Sequence, residues 1–316
     1  MKSGTSYLWR LLDAHPLVFM SEPKEPCYFV DPDDLKRIFP LMWRQQYWKD
    51  ERNYLQLFDA AAGAPIVGEA SVFHAYLPLA PGVAERIRRF NSDARILYLM
   101  RDPVERALSH YWHNVRYFAE YRPLDQAIKD DIQYAAVGDY AVQLRDYYRH
   151  FDRSNVLVLT YEELTEDPAG VMETVFDWLG AGPAGPAPQV PPQNVTPEQF
   201  NGPIWKWQRL RQRHPIVRRA IDRLPKPVRR FGANLVTRQV RPGDVDLAAT
   251  ADYLRPLQLQ QTDALRDLLG RDFPQWTTLY QRGESLPAGI VGARARPQPA
   301  DVDFDQPSLG TSPAAG

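Results

Sequence analysis

Apolar positions recur along this chain at two spacings. Leu8, Leu11 and Leu12 fall at i, i+3 and i+4 behind Thr5 and Ser6, which predicts an amphipathic helix ending near His15-Pro16. Ile66-Val67, before Gly68-Glu69, reads as a short strand, and residues 81–90 read as a helix with Pro81 at its start. The unbroken apolar run from Ile96 to Met100 predicts a buried strand. A helix follows it, with Asp102 as cap, Pro103 in first position, and Val104, Ala107, Leu108 and Tyr111 along one face. Asp139 to His150 reads as helix and Val156 to Leu159 as another buried strand. Asp167-Pro168 opens a helix that runs through Leu179 and stops at Gly180. Leu254, Leu257, Leu265, Leu268 and Leu269 give residues 247–269 an apolar helical face, which Gly270 ends. Strand, helix, strand, helix in that order predicts an α/β fold whose mainly parallel central sheet is flanked by helices on both faces.

Composition changes along the chain divide it. Residues 1–284 read as one domain, interrupted by a Pro-rich connection at 181–197 and a basic helical segment at 203–241. That segment sets Arg209, Arg211, Arg213, Arg218, Arg219, Arg229 and Arg230 against a single acid, Asp222. Three readings stay open for it: a solvated helical face, a peripheral contact with an anionic substrate or membrane surface, or a loop closing on a bound phosphate through Arg238 or Arg241. Residues 285–316 are polar and rich in Pro, Gly and Ala, and are expected to be disordered.

The chain is 44% apolar, enough for a sizeable core, and its net charge of −1 gives no general pull toward nucleic acid. Cys27 is the only cysteine, so there is no intrachain disulfide and no thiolate-built zinc site. A reducing, cytoplasmic setting is the expectation that follows. No apolar run approaches the roughly 20 residues of a membrane span. Lys2 is followed by polar residues rather than an apolar core, so no signal peptide is read here.

Three places carry candidate chemistry. Lys2-Ser3-Gly4-Thr5-Ser6 runs into the first helix, where unpaired N–H groups, a glycine turn, a lysine and hydroxyls suit a phosphate or sulfate. The competing reading makes Ser and Thr plain helix caps. The lysine precedes the glycine, so this is not a Walker A loop. Arg101 ends the strand at 96–100 and Ser109 lies on the helix after it, both able to hold an anion, against a salt-bridged Arg and a solvent-facing Ser. Glu25, in Lys24-Glu25-Pro26-Cys27-Tyr28-Phe29, is a candidate general base, against a surface Glu paired with Lys24.

Together these motifs resemble the sulfotransferases that use 3′-phosphoadenosine-5′-phosphosulfate (PAPS) as donor, in their glycan and heparan-modifying branch. The turn at 2–6 resembles their 5′-phosphosulfate-binding turn. Arg101-Asp102-Pro103 with Ser109 resembles their 3′-phosphate site, and Glu25 matches their catalytic glutamate. Cys27 stands where those relatives carry histidine. Gly68-Glu69-Ala70-Ser71 resembles their Gly-Glu-x-Ser/Thr segment, with Ala70 where many relatives have lysine. Residues 156–168 resemble their strand, Tyr-Glu-x-Leu and Asp-Pro run, and Leu268 to Phe273 with Trp276 resembles their last helix. The resemblance implies a P-loop-like three-layer fold and sulfuryl transfer to a hydroxyl or amine of an acceptor, such as a carbohydrate, lipid or natural product. It implies Lys2 and Glu25 as catalytic residues, donor contacts from Lys2 to Ser6, Arg101 and Ser109, and no metal. In those relatives an apolar strand leads into the lysine, so a strand is expected before Met1. A nucleotide kinase and a non-catalytic nucleotide-binding relative are the alternatives; the missing Walker lysine and magnesium carboxylate weigh against the kinase. His110 and His113, at i and i+3, are read as packing or surface residues rather than metal ligands, and His74 as an alternative base.

Overall fold

The computed structural model describes residues 1–118, 120, 122–182, 200–203, 237–240 and 245–280, with 200–203 and 237–240 as backbone alone. The Pro-rich connection beyond residue 182, nearly all of the basic segment and the tail lie outside the described residues.

In chain order the elements are α1 (Thr5–Asp13), β1 (Val18–Met20), α2 (Pro32–Ile38), α3 (Pro40–Trp43), α4 (Glu51–Leu55), β2 (Ile66–Gly68) and α5 (Val83–Phe90). Next come β3 (Ile96–Met100), α6 (Pro103–Tyr117), α7 (Leu124–Asp130), α8 (Gln133–Ala136), α9 (Tyr140–His150), β4 (Val156–Thr160), α10 (Tyr161–Glu166) and α11 (Pro168–Leu179). After them come β5 (Phe200–Pro203), β6 (Thr237–Val240), α12 (Leu247–Leu269) and α13 (Thr277–Tyr280). No helix among the described residues is long and apolar enough to cross a membrane.

The strands pair in parallel, as the alternation of elements predicts, but in two separate pairs. Val18 to Met20 run beside Ile66 to Gly68, and Ile96 to Met100 beside Val156 to Thr160. The β5–β6 pair is antiparallel. One core gathers α5, α6, α9 and α12 against β3. A second joins Leu8, Leu11 and Leu12 of α1 to β1, to Leu99 and Leu159, and to Val175 and Phe176 of α11. Helix α1 therefore bridges both strand pairs.

Local chemistry fixes the element ends. Asp102 Oδ1 accepts the Val104 and Glu105 N–H groups at 3.0 and 3.2 Å, capping α6 behind Pro103. Thr160 and Glu163 form a capping box at α10. The predicted helix at 81–90 begins later, at Val83, because Gly82 takes a left-handed φ of 77° and turns the chain into it. Strand β1 is missing from the sequence reading, since three residues show no measurable period.

The last described elements close over the middle of the chain. Trp276 is fully buried, stacks on Phe273 with 4.2 Å between ring centres, and donates its indole N–H to Glu162 Oε2 at 3.2 Å. Trp276→Ala leaves a large cavity and an unpaired carboxylate oxygen, so we expect about 3–5 kcal/mol of destabilisation, or roughly 6–20 °C in the thermal midpoint by calorimetry. A shift under 2 °C would show that this closure holds little.

Candidate active site

All four parallel strands deliver their carboxyl ends to one region, where open α/β sheets bind ligands. β1 leads to residues 21–27, β2 to 69–72, β3 to Arg101 and β4 to Tyr161. The turn at residues 2–6 lies against these ends. Lys2 and Gly4 both have left-handed backbone, with φ of 66° and 85°. Gly4 is the N-cap of α1, and no side chain caps that helix. Thr5 and Ser6 are therefore not its caps. A Cβ at Gly4 would overlap the Tyr161 ring, so glycine is needed for space as well as for φ. Burial and the neighbouring Arg101 and Arg116 lower the Lys2 ammonium to about 8, which leaves it mainly charged at neutral pH.

Arg101 comes to the same turn. Its Nη1 donates to the Lys2 carbonyl at 3.4 Å, and its guanidinium lies 4.9 Å from the centre of the Tyr161 ring. Nη2 donates to Glu105 Oε2 at 2.6 Å, while the buried Nε has no partner among the described residues. Arg101 is thus both salt-bridged and next to the turn. Ser3 is buried, and its side chain hydrogen-bonds to the Tyr140 hydroxyl, which also donates to the Arg101 carbonyl at 2.7 Å. Ser109 is buried on α6 rather than facing solvent. Tyr140, which nothing local marks, was missed in the sequence; Tyr161 belongs to the Tyr-Glu-x-Leu run, but its place over the turn was not read from it.

Glu25 sits on a strained loop. Glu25 and Cys27 have φ of 67° and 57°, positions that disfavour residues with a Cβ. Backbone bonds hold the strain: Glu25 N–H donates to the Ala70 carbonyl at 3.0 Å, and Cys27 N–H to Ser71 Oγ at 3.1 Å. The carboxylate is held at both oxygens. Oε2 accepts the Val72 N–H at 2.6 Å, and Oε1 pairs with the Lys24 ammonium. Lys24 Nζ also lies 3.4 Å from Thr5 Oγ1. One side chain thereby links the turn to the Glu25 loop.

Behind this loop lies a second carboxyl group. Glu69 Oε2 accepts from Ser71 Oγ at 2.9 Å, and Oε1 faces His74 Nε2 at 3.5 Å. Burial raises Glu69 to about 8 and lowers His74 to about 3, so the two meet as a neutral acid and a neutral imidazole. His74 thus stands behind Glu69, one layer back from Glu25. The Gly68-Glu69-Ala70-Ser71 spacing was the signal for this clamp; its partners across 44 residues were not. His110 is buried against Arg106 and Tyr134, and His113 packs on Tyr117 and Phe118.

The profile described as "Sulfotransferase domain" matches residues 1–189. This chain belongs to the sulfotransferase domain family. Among solved structures, a sulfotransferase from Alicyclobacillus acidocaldarius is 26% identical with a TM-score of 0.59, over 87% of this chain and 94% of that one. Mouse heparan sulfate glucosamine 3-O-sulfotransferase 3B1 is 27% identical over 188 residues, 57% of this chain and 44% of that protein. Firefly (Photinus pyralis) luciferin sulfotransferase is 30% identical over 99 residues, 30% of this chain and 26% of that protein. The chain therefore spans about a quarter to a half of these curated relatives. The α/β fold with parallel strands is the P-loop-like architecture of this family.

The Glu69 clamp has a pH signature. Its carboxyl ionises near 4.5 when unfolded and near 8 when folded, so its contribution to stability falls as pH rises through that window. Glu69→Gln keeps an oxygen for Ser71 and removes the titration. The midpoint of the variant minus that of the wild type should therefore increase from pH 5 to pH 8 in thermal melts. An unchanged difference would mean that Glu69 is not buried as described.

Proposed function

We propose that this chain moves a sulfuryl group from PAPS to a hydroxyl or amine of an acceptor, a carbohydrate or another small metabolite. The observation that carries the reading is the Lys24 bridge: a single side chain spans Thr5 of the turn and the Glu25 carboxylate. It puts an anion cradle and a basic carboxylate on opposite sides of one small space. Family membership supplies the donor class, and the names of the relatives supply the acceptor classes.

The residues present suit such a donor. Helix α1 offers backbone N–H groups with no side chain competing for them, beside a lysine. Arg101 brings a buried N–H without a partner among the described residues. In this reading residues 2–6 hold the phosphosulfate, and Arg101 with Ser109 hold the 3′-phosphate. Glu25 takes the acceptor proton as the new bond forms. Lys2 stabilises the negative charge that builds on the oxygen between sulfur and phosphorus. Such fixed charge placement is often the largest catalytic contribution, with about 10²–10³-fold lost per group removed.

Assays with labelled PAPS and a panel of carbohydrate and small hydroxylated or aminated acceptors test the reading. Lys2→Ala should lower kcat/KM by about 10²–10³-fold and Glu25→Gln by about 10²–10⁴-fold. Near-normal turnover in both variants would overturn it. Binding of ATP with magnesium, without binding of adenosine 3′,5′-bisphosphate, would favour a kinase instead.

A further inference from the structure

Lys24 has no part in the scheme above, yet it occupies the position between its two halves. Its ammonium pairs with Glu25 Oε1 and lies 3.4 Å from Thr5 Oγ1 in the turn. The side chain is only 19% exposed. Glu25 does not depend on this lysine for its orientation, because Oε2 is held by the Val72 N–H and the backbone by the Ala70 carbonyl. Residue 70, next to Glu25, contributes only a methyl group and no charge. So Lys24 can leave Glu25 without undoing the loop, and the Thr5 hydroxyl already lies within its reach. An ammonium carries three donors on a flexible stem and can exchange one anionic partner for another at little cost.

We propose that Lys24 is a catalytic residue that transfers its ion pair from Glu25 to the sulfonate of the donor. The inference rests on the donor reading of the turn. With the site empty, the Lys24 ammonium covers Glu25 Oε1 and shields the carboxylate from an acceptor. When a sulfonate lies beside Thr5, the ammonium moves the few ångströms to its oxygens. That move does two things at once: it adds a positive charge to the group in transit and uncovers the base. In the transfer itself, the acceptor oxygen or nitrogen forms a bond to sulfur. The bond from sulfur to the bridging oxygen breaks, and its electron pair stays on that oxygen as part of the 5′-phosphate. The acceptor proton passes to Glu25, and Lys24 keeps its own protons throughout. With the sulfonate gone, Lys24 has lost that partner, and it returns to Glu25 once the base is again ionised. The base is thereby available only when there is a sulfuryl group to receive.

The mechanism separates two ligands that differ only in the sulfonate. Lys24→Met keeps the stem and removes the charge. By calorimetry, wild type and variant should bind adenosine 3′,5′-bisphosphate equally, which also shows that the variant is folded. PAPS should bind the variant roughly 10–100-fold more weakly than the wild type, the worth of one charged hydrogen-bonding contact. Turnover should fall about 10²–10³-fold, as for loss of one group that stabilises developing charge. Lys24→Arg should restore most of the preference for PAPS over the bisphosphate. If Lys24→Met binds PAPS as tightly as the wild type does, with bisphosphate binding intact, the proposal is wrong while the donor reading stands. If the wild type binds neither nucleotide, the donor reading fails and this inference falls with it.

Discussion

The arrangement of the site depends on one buried carboxylate, that of Asp102. One oxygen accepts two N–H groups at the start of α6, and the other accepts the Leu279 N–H at 2.9 Å. Its own N–H donates to Glu162 Oε1 at 2.9 Å. The end of β3, the first turn of α6, α10 and α13 thus share one anchor. Burial pushes the Asp102 carboxyl up to about 7, and the backbone N–H bonds from Glu105 and Leu279 pull against that. The direction of Arg101, one residue earlier, is set by this anchor. So is Glu105, which takes Arg101 with one oxygen and the Thr278 hydroxyl with the other. An arginine aimed at the turn at residue 2 is therefore held in place by residues near 280.

Two of the site's cations are paired with carboxylates beside them. Arg101 is paired with Glu105 and Lys24 with Glu25, and burial raises the Glu69 carboxyl to about 8, which favours its neutral form near pH 7. Lone buried charges would cost several kcal/mol each, so these partners lower the cost of holding Arg101 and Lys24 there. The pairs are not equivalent. Arg101 and Glu105 lie four residues apart on the frame that Asp102 anchors, and the pair sits under Tyr161. Lys24 and Glu25 lie on a loop whose strained backbone is held by bonds that do not involve the lysine. One pair is built to stay; the other can exchange.

Wherever one stretch of chain does the work, the sequence was readable. The apolar period located α1, Asp102-Pro103 located the start of α6, and the unbroken apolar runs located β3 and β4. The turn at 2–6, Glu25, Arg101 and Ser109 were all visible as short motifs, and the family they resemble is the one whose profile matches residues 1–189. What stayed hidden depends on distance in sequence. Tyr140 bridges Ser3 and Arg101, Tyr161 lies over Gly4, and Ser71 reaches Cys27; two of the three sit in short motifs, but no local pattern names the distant partner. The division of the parallel strands into two pairs was hidden for the same reason, since periodicity tells which residues are strand but not which strands touch.

This difference explains why the donor is easier to infer than the acceptor. A nucleotide with two anionic ends can be recognised by backbone N–H groups, a lysine and an arginine fork, and such elements fit in motifs a few residues long. An acceptor must be recognised by shape, through side chains drawn from many places at once. The match to mouse heparan sulfate glucosamine 3-O-sulfotransferase 3B1 spans 188 residues, and the family profile ends at residue 189. The profile's span includes the turn at 2–6, Glu25, Arg101 and Ser109, the residues that the proposed donor chemistry uses. Cys27, two residues after Glu25, and Ala70, whose carbonyl accepts the Glu25 N–H, both depart from the glycan-type pattern. In the proposed reading, a site that keeps its donor half and changes the wall around Glu25 would keep the reaction while changing what it reacts with.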